Sequence, residues 1–325
     1  MRTTVGLMQS RGLRDVPYVM DKLAWMRERR IWPNGLRYLW TDAFGVVLLV
    51  SLYRELGSER YLEEARRVVA EVERTLGRSP GLRIGEEPDR GGQYFHYLAM
   101  WLFALERLGR IDPTYRERAV ELARAVHPRF VRPGIGVYWK MTEDLSAPYP
   151  GFGLGALDPF HGYVVYRLLD PHALEREIAE MRELVDRTVK TLHVTQDLGV
   201  GMMLWMSHFF PEERWAVLQR QRCLEILDDL WIDPPGYFCR EPGRPEVKLA
   251  FTNYGVSVGL QAAAPHDATG RQVDRLHRFF GAYRSGDEYD LAAITHVMAC
   301  SSHLPGDLLA PPPAATAGGE EDSGT

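Results

Sequence analysis

The strongest constraint in this chain is an alternation between two kinds of helix. The first kind is charged on one face and apolar on the other, at residues 19–29, 61–76, 115–126, 174–189, 213–227 and 271–283. In the second of these, Leu62, Ala65, Val68, Val69, Val72 and Leu76 recur at three- and four-residue steps, with Arg and Glu filling the other side. That is a helix with one wet face. The second kind carries little charge in its interior and is rich in Gly, Ala, Ser, Met and aromatics, at residues 42–53, 93–105, 159–166, 200–210, 253–263 and 290–302. A helix that is apolar all round is a buried helix. The longest dry stretch, residues 198–210, is shorter than the ~20 apolar residues that cross a bilayer, so no membrane span and no membrane partner is expected.

Six wet helices alternating with six dry ones predict an all-α fold, an (α/α)6 toroid or barrel of six helical hairpins with the dry set inside. Each hairpin takes on the order of 50 residues, within the range of helical repeat units. An open superhelix of helix pairs is the competing architecture, but it usually carries a repeated residue signature, and none is visible. A single domain is expected over residues 1–308. Residues 309–325, with Pro311, Pro312, Pro313, Glu320, Glu321 and Asp322, have no apolar period and are expected to be disordered.

The loops carry a second asymmetry. Connections leaving a dry helix are tight, at 57–59, 109–112, 170–171 and 211, whereas several that enter one are long and rich in Gly, Pro and aromatics, at 31–40, 77–92, 128–157 and 231–252. Long irregular loops in a compact domain usually serve function. They gather at the pole where the dry helices begin, with the positive ends of those helices pointing into it. A site belongs there.

Composition narrows the chemistry. A net charge of −5 with 26% charged residues leaves no broad electrostatic footprint for nucleic acid. Three cysteines, Cys223, Cys239 and Cys300, make neither a disulfide framework nor a zinc knuckle. Residues 1–19 lack the apolar run of a signal peptide, so a reducing cytoplasm is expected. Phosphate-binding loops, the dinucleotide fingerprint, the nucleophile elbow and His-Glu-x-x-His are all missing from the sequence. No metal and no cofactor is expected.

Five segments at the open pole hold the candidate residues. Gly85-Glu86-Glu87-Pro88-Asp89-Arg90-Gly91-Gly92-Gln93-Tyr94-Phe95-His96-Tyr97 places carboxylates and Arg90 before a dry helix. Asp89 can cap that helix, while Gln93, His96 and Tyr97 are polar groups in its first turns that must find partners or a wet cavity. In the second segment, Arg37, Tyr38, Trp40 and Asp42 set flat apolar faces beside ionic hydrogen-bond groups, the pairing that suits a sugar ring; Thr41 or Asp42 can cap. The third is Leu157-Asp158-Pro159-Phe160-His161, where Asp158 is a cap by default and His161 lies one turn in. Thr252-Asn253-Tyr254 and Asp287-Glu288-Tyr289-Asp290 complete the set. His296 also lies on a dry helix, His208 reads as a satisfied core histidine, and Tyr138 and Trp139 suit a cleft wall. Asp228-Asp229-Leu230-Trp231-Ile232-Asp233 with Asn253, Ser257 and Gln261 resembles the metal motifs of class I terpene synthases. Here, however, the two motifs are adjacent, the second ends in Gln, and the first closes a wet helix.

The alternating helices, the one-sided loops and the segments 38–45 and 89–97 together resemble the six-hairpin glycosidase superfamily over about residues 19–304. The resemblance implies a carbohydrate-active enzyme with a small-molecule sugar substrate. Its first implied reaction is glycosidic hydrolysis by two carboxylates roughly 6.5–9.5 Å apart, the spacing of an inverting mechanism. Asp89 or Glu87 would be one partner and Asp42 or Asp158 the other. Arg37, Arg90, Gln93, His96, Trp139, His161, Asn253 and Tyr254 would bind substrate and Trp40 would stack on a ring. A sugar epimerase or isomerase working through paired histidines is the alternative, with a terpenoid cyclase-like or ligand-binding toroid beyond it.

Overall fold

The computed structural model describes residues 12–230, 249–263 and 266–312. The long loop expected at 231–252 and the tail beyond 312 lie mostly outside these residues, as does the end of the Asp228–Asp233 motif. Twelve α-helices are described: α1 (Val16–Glu28), α2 (Leu39–Leu56), α3 (Glu59–Leu76), α4 (Phe95–Gly109), α5 (Pro113–Phe130), α6 (Asp158–Leu169), α7 (Glu175–Thr188), α8 (Asp197–Ser207), α9 (Arg214–Leu230), α10 (Ala250–Ala263), α11 (His266–Ala282) and α12 (Ala293–His303). The even-numbered helices are the dry ones. Each packs on its even-numbered neighbours, and α12 packs back on α2, so the inner ring closes. The wet helices form the outer layer, each against the dry helix before it, with α1 against α12. The fold is therefore the closed (α/α)6 barrel, not an open superhelix.

Local chemistry accounts for the helix ends. Asp15 accepts the Tyr18 amide (3.2 Å) and Asp112 accepts the Thr114 amide (3.2 Å), each with Pro in the first turn of its helix. Gly57, with φ of +63°, ends α2 in the left-handed conformation that costs glycine least, and its N–H returns to the Tyr53 carbonyl. In α3 the apolar stripe from Leu62 to Leu76 is buried in full. In α2 every residue from Leu39 to Leu52 is buried. Among the described residues no helix is long and apolar enough to cross a membrane.

The inner ring is not evenly spaced. Gly201 of α8 lies against Gly255 and Gly259 of α10 with backbone touching backbone, and a Cβ built on Gly201 or Gly259 would fall on a carbonyl oxygen of the opposite helix. Of the neighbouring inner pairs, α8 and α10 pack most closely and α6 and α8 most loosely. The seam between α6 and α8 therefore opens. Gly259→Ala is expected to cost at least 1–3 kcal/mol, the range for overpacking, because the obstacle is backbone that cannot rotate away. Chemical denaturation will read this as a lower midpoint.

Residues 304–312 run as a strap across the far pole, where the dry helices end. The Asp307 N–H donates to Ser51 Oγ (2.8 Å) and its carboxylate pairs with Arg54 (2.9 Å). Trp205 Nε1 donates to the Leu308 carbonyl (2.8 Å), Arg107 to that of Ala310 (3.1 Å) and Arg110 to that of Pro311 (2.9 Å). Leu308 and Leu309 are buried. The start of the segment expected to be disordered, residues 309–312, is thus anchored to the end of α4, because carbonyls there answer arginine donors that the inner helix presents.

Candidate active site

At the opposite pole a cavity of about 390 Å3 opens at the loose α6–α8 seam. Its wall takes His96 from α4, Asp158 and His161 from α6, Leu198, Gly199 and Met202 from α8, Trp40 from α2, and Trp139 with residues 154–157 from the long loop before α6. That loop is held down by local ladders. Gln93 pairs with Met141 and Tyr94 with Lys140 in two-residue antiparallel strands, β1 (Gln93–Tyr94) and β4 (Lys140–Met141). A second such pair, β2 (Val131–Arg132) and β3 (Gly136–Val137), lies between them in the chain.

The cavity gathers several buried polar atoms without partners. Buried polar groups in native proteins are almost always hydrogen-bonded, so an orphan asks for a reason. Trp40 Nε1, His96 Nδ1, Asp158 Oδ1 and both ring nitrogens of His161 are buried and have no hydrogen-bond partner, and all four residues line this cavity. The His96 and His161 rings lie nearly parallel (16°), with centroids 6.4 Å apart. His96 Nδ1 stands 3.5 Å from Asp158 Oδ1, beyond a good hydrogen bond but within ion-pair range. Burial, and then the neighbouring His96, push the His161 imidazole down to about 3, so it is neutral at ordinary pH.

Asp158 is not the helix cap that its place before Pro159 suggests. The helix begins at Asp158 itself, and no side chain caps it. Instead the carboxylate lies over the Cα of Gly155, where any side chain at position 155 would collide with Oδ2. Trp40 and Trp139 provide the flat faces: Trp40 meets the edge of His96 (5.8 Å), and Trp139, 42% exposed, stands at the rim 6.3 Å from His96.

The other candidates lie elsewhere. Asp42 is buried, and its oxygens accept Trp32 Nε1 (3.0 Å), Arg37 Nη1 (3.1 Å) and the Tyr38 N–H (3.1 Å). Burial raises this carboxyl to about 6 while Arg37 holds it back. Arg37 is spent on Asp42 and on the Pro33 and Gly35 carbonyls. Together they tie the 29–38 loop to the start of α2, and neither lines the α6–α8 cavity. Glu87 and Asp89 sit on an exposed turn beside Arg90, with side chains 52% and 75% exposed, and α4 begins only at Phe95, so Asp89 caps nothing. Gln93 is a staple between loops: Oε1 accepts the Leu82 N–H (2.8 Å) and Nε2 donates to the Pro80 (2.9 Å) and Glu143 (2.6 Å) carbonyls. Asn253 donates to Asp197 (3.2 Å) and the Leu249 carbonyl (3.0 Å), joining α10 to α8. Tyr254 and His296 line a different cavity.

Of the four proposed carboxylates, the structure therefore brings Asp158 alone to the cavity, together with His96, His161, Trp40 and Trp139. Gln196, Leu198, Gly199 and Met202 join them although sequence reasoning did not select them. The one signal for Gln196 was its position just before the start of a dry helix.

The chain matches no protein-family model and no curated protein sequence. Solved structures resemble it over most of their length. A GH76 α-mannanase from Bacteroides thetaiotaomicron superposes with a TM-score of 0.64 at 10% identity, covering 90% of this chain and 96% of that one. A D-mannose isomerase gives 0.61 at 12% identity, covering 89% and 96%. A cellobiose 2-epimerase from Bacillus thermoamylovorans B4167 gives 0.59 at 12% identity, covering 83% and 88%. The chain has the (α/α)6 barrel fold of the six-hairpin glycosidase-like enzymes. At such identity the likeness defines the fold, which hosts more than one chemistry.

Proposed function

We propose that the cavity binds a reducing sugar and moves a proton at the carbon next to its carbonyl, as a sugar isomerase or 2-epimerase. The observation that carries this reading is the pair of nearly parallel imidazoles 6.4 Å apart, with unpartnered nitrogens facing one cavity that also holds a carboxylate. A neutral imidazole can take the C2 proton, leaving an enediolate. Returning a proton to C1 gives the ketose, and returning it to the opposite face of C2 gives the epimer. Histidine is the side chain most often used for such transfers. His161, held neutral, suits the base. His96, with Asp158 beside it, suits the group that protonates and stabilises oxygen, and Trp40 and Trp139 offer their faces to the ring.

Hydrolysis, the first reaction expected from the sequence, has less support. It needs two carboxyl groups flanking the scissile bond, and among the described residues Asp158 is the one carboxylate in the wall. The folds of a cellobiose 2-epimerase and a D-mannose isomerase are compatible with the proposal, as is that of a mannanase with hydrolysis.

Proton NMR in deuterated buffer separates the two. Incubation with aldohexoses, ketohexoses and reducing disaccharides is expected to erase the C2 proton signal of one of them and to raise the signals of its epimer or ketose. Cleavage of glycosidic bonds without exchange at C2 would sink the proposal.

A further inference from the structure

A second and larger cavity, of about 600 Å3, lies between the inner and outer layers, where α1, α11 and α12 meet the start of α10. None of the residues argued above for proton transfer lines it. Its wall is aromatic, with Tyr18, Trp25, Tyr254 and Tyr289 prominent, and Lys22 and Arg284 both face it. Neither cation is ion-paired with a carboxylate of the described residues, although most arginines here have such a partner.

The carboxylates in the wall form no ion pair with either cation, although Asp290 feels the charge of Arg284. Both oxygens of Asp290 are taken up by its own loop, accepting Ser285 N (2.8 Å), Ser285 Oγ (2.9 Å) and Gly286 N (2.9 Å). Asp21 is solvent-exposed and pairs with neither cation. Lys22 instead stands over the Trp25 and Tyr18 rings, its Nζ 5.1 and 5.7 Å from their centroids. Arg284 hands Nη1 to the Gly281 (3.3 Å) and Tyr283 (2.6 Å) carbonyls at the end of α11, leaving the rest of its guanidinium uncommitted among the described residues. The local charge is felt by its neighbours. Burial, and behind it the charge of Arg284, lowers the Lys22 ammonium, while burial followed by the charge of Lys22 brings His296 down to about 4. Two like charges held beside one cavity with no ion-pair partner destabilise each other, and an anion entering between them relieves both.

We propose that this cavity binds an organic anion, its charged group between Lys22 and Arg284 and its flat apolar part against Trp25 and Tyr289. The aromatic walls suit a ring better than a bare ion, and the His296 ring, edge-on to Trp25 at 4.6 Å with its Nε2 spent on the Asp290 carbonyl (3.0 Å), fixes one of those walls. Such a site is independent of the proton-transfer cavity and does not rest on its reading.

Isothermal titration of the full chain with phenyl phosphate, benzoate and phenol tests this. Saturable binding of at least one of the two anions is expected, with phenol at least tenfold weaker. Lys22→Met and Arg284→Met should each weaken the anion at least tenfold, Lys22→Arg should largely restore it, and His161→Asn should leave it unchanged. Arg284 is exposed, so Arg284→Met decides the matter even where Lys22→Met lowers the unliganded melting midpoint. The proposal is overturned if neither anion saturates, if phenol binds as well as they do, if Arg284→Met keeps wild-type affinity, or if His161→Asn abolishes binding.

Discussion

Asp42→Ala will unfold on heating roughly 6 °C below wild type, from a loss of about 3–5 kcal/mol, the range for removing one partner of a buried ion pair. The alanine strands the guanidinium of Arg37, itself 4% exposed, together with the Trp32 indole N–H and the Tyr38 amide. The same carboxylate was a catalytic candidate from sequence, so the variant separates two roles. If Asp42 is structural, the proton exchange measured per folded molecule should stay within a few-fold of wild type. A thousandfold loss of exchange with an unchanged melting midpoint would return Asp42 to the chemistry and remove it from the scaffold.

His161→Asn is expected to cut the rate of C2 proton exchange by 10²–10⁴-fold, the usual contribution of a positioned acid or base, and His96→Asn by a similar factor. Asparagine keeps polar atoms at the site but cannot carry the proton. A second readout is available because the His161 ring is fully buried and neutral. Its folded value of about 3 lies below the unfolded value near 6.5. The unfolded chain therefore binds the extra proton between those limits. The stability associated with this ring is complete above pH 6.5 and drains away as the pH falls toward 3. Between pH 6.5 and 5, wild type should lose about 2 kcal/mol relative to His161→Asn. Parallel pH dependences for the two proteins would mean that the ring is not held neutral, and the role of base would then pass to another group.

The distribution of charge between helices made the architecture readable. Whether a helix is dry is a property of its own residues, and six dry helices can bury themselves together only as a ring or a stack. The pole where the α6–α8 cavity opens was readable too, because loop length is visible in sequence. The individual roles were less so. Asp42, Gln93 and Asn253 are polar residues at dry-helix starts, just as His96 and Asp158 are, and nothing local separates a polar group consumed by its neighbours from one offered to a ligand. The difference lies in contacts made across the chain: Gln93 meets Glu143, and Asn253 meets Asp197. Asp158 went the opposite way, since the expected cap left an oxygen unsatisfied. Met202, Leu198 and Gly199 have no chemical signature at all. They form a wall only because close glycine packing draws α8 toward α10 and away from α6.

The strap over the far pole has a consequence for traffic. With residues 304–312 pinned to Ser51, Arg54, Arg107, Arg110 and Trp205, the barrel is blind at that end. On the proposed reading, a sugar in the α6–α8 cavity has no exit past the strap. A polymer cannot be threaded through such a vessel; it can present only a chain end. On the proposed reading a sugar would enter and leave past Trp139 at the rim, so that residue should weigh on release as well as on binding.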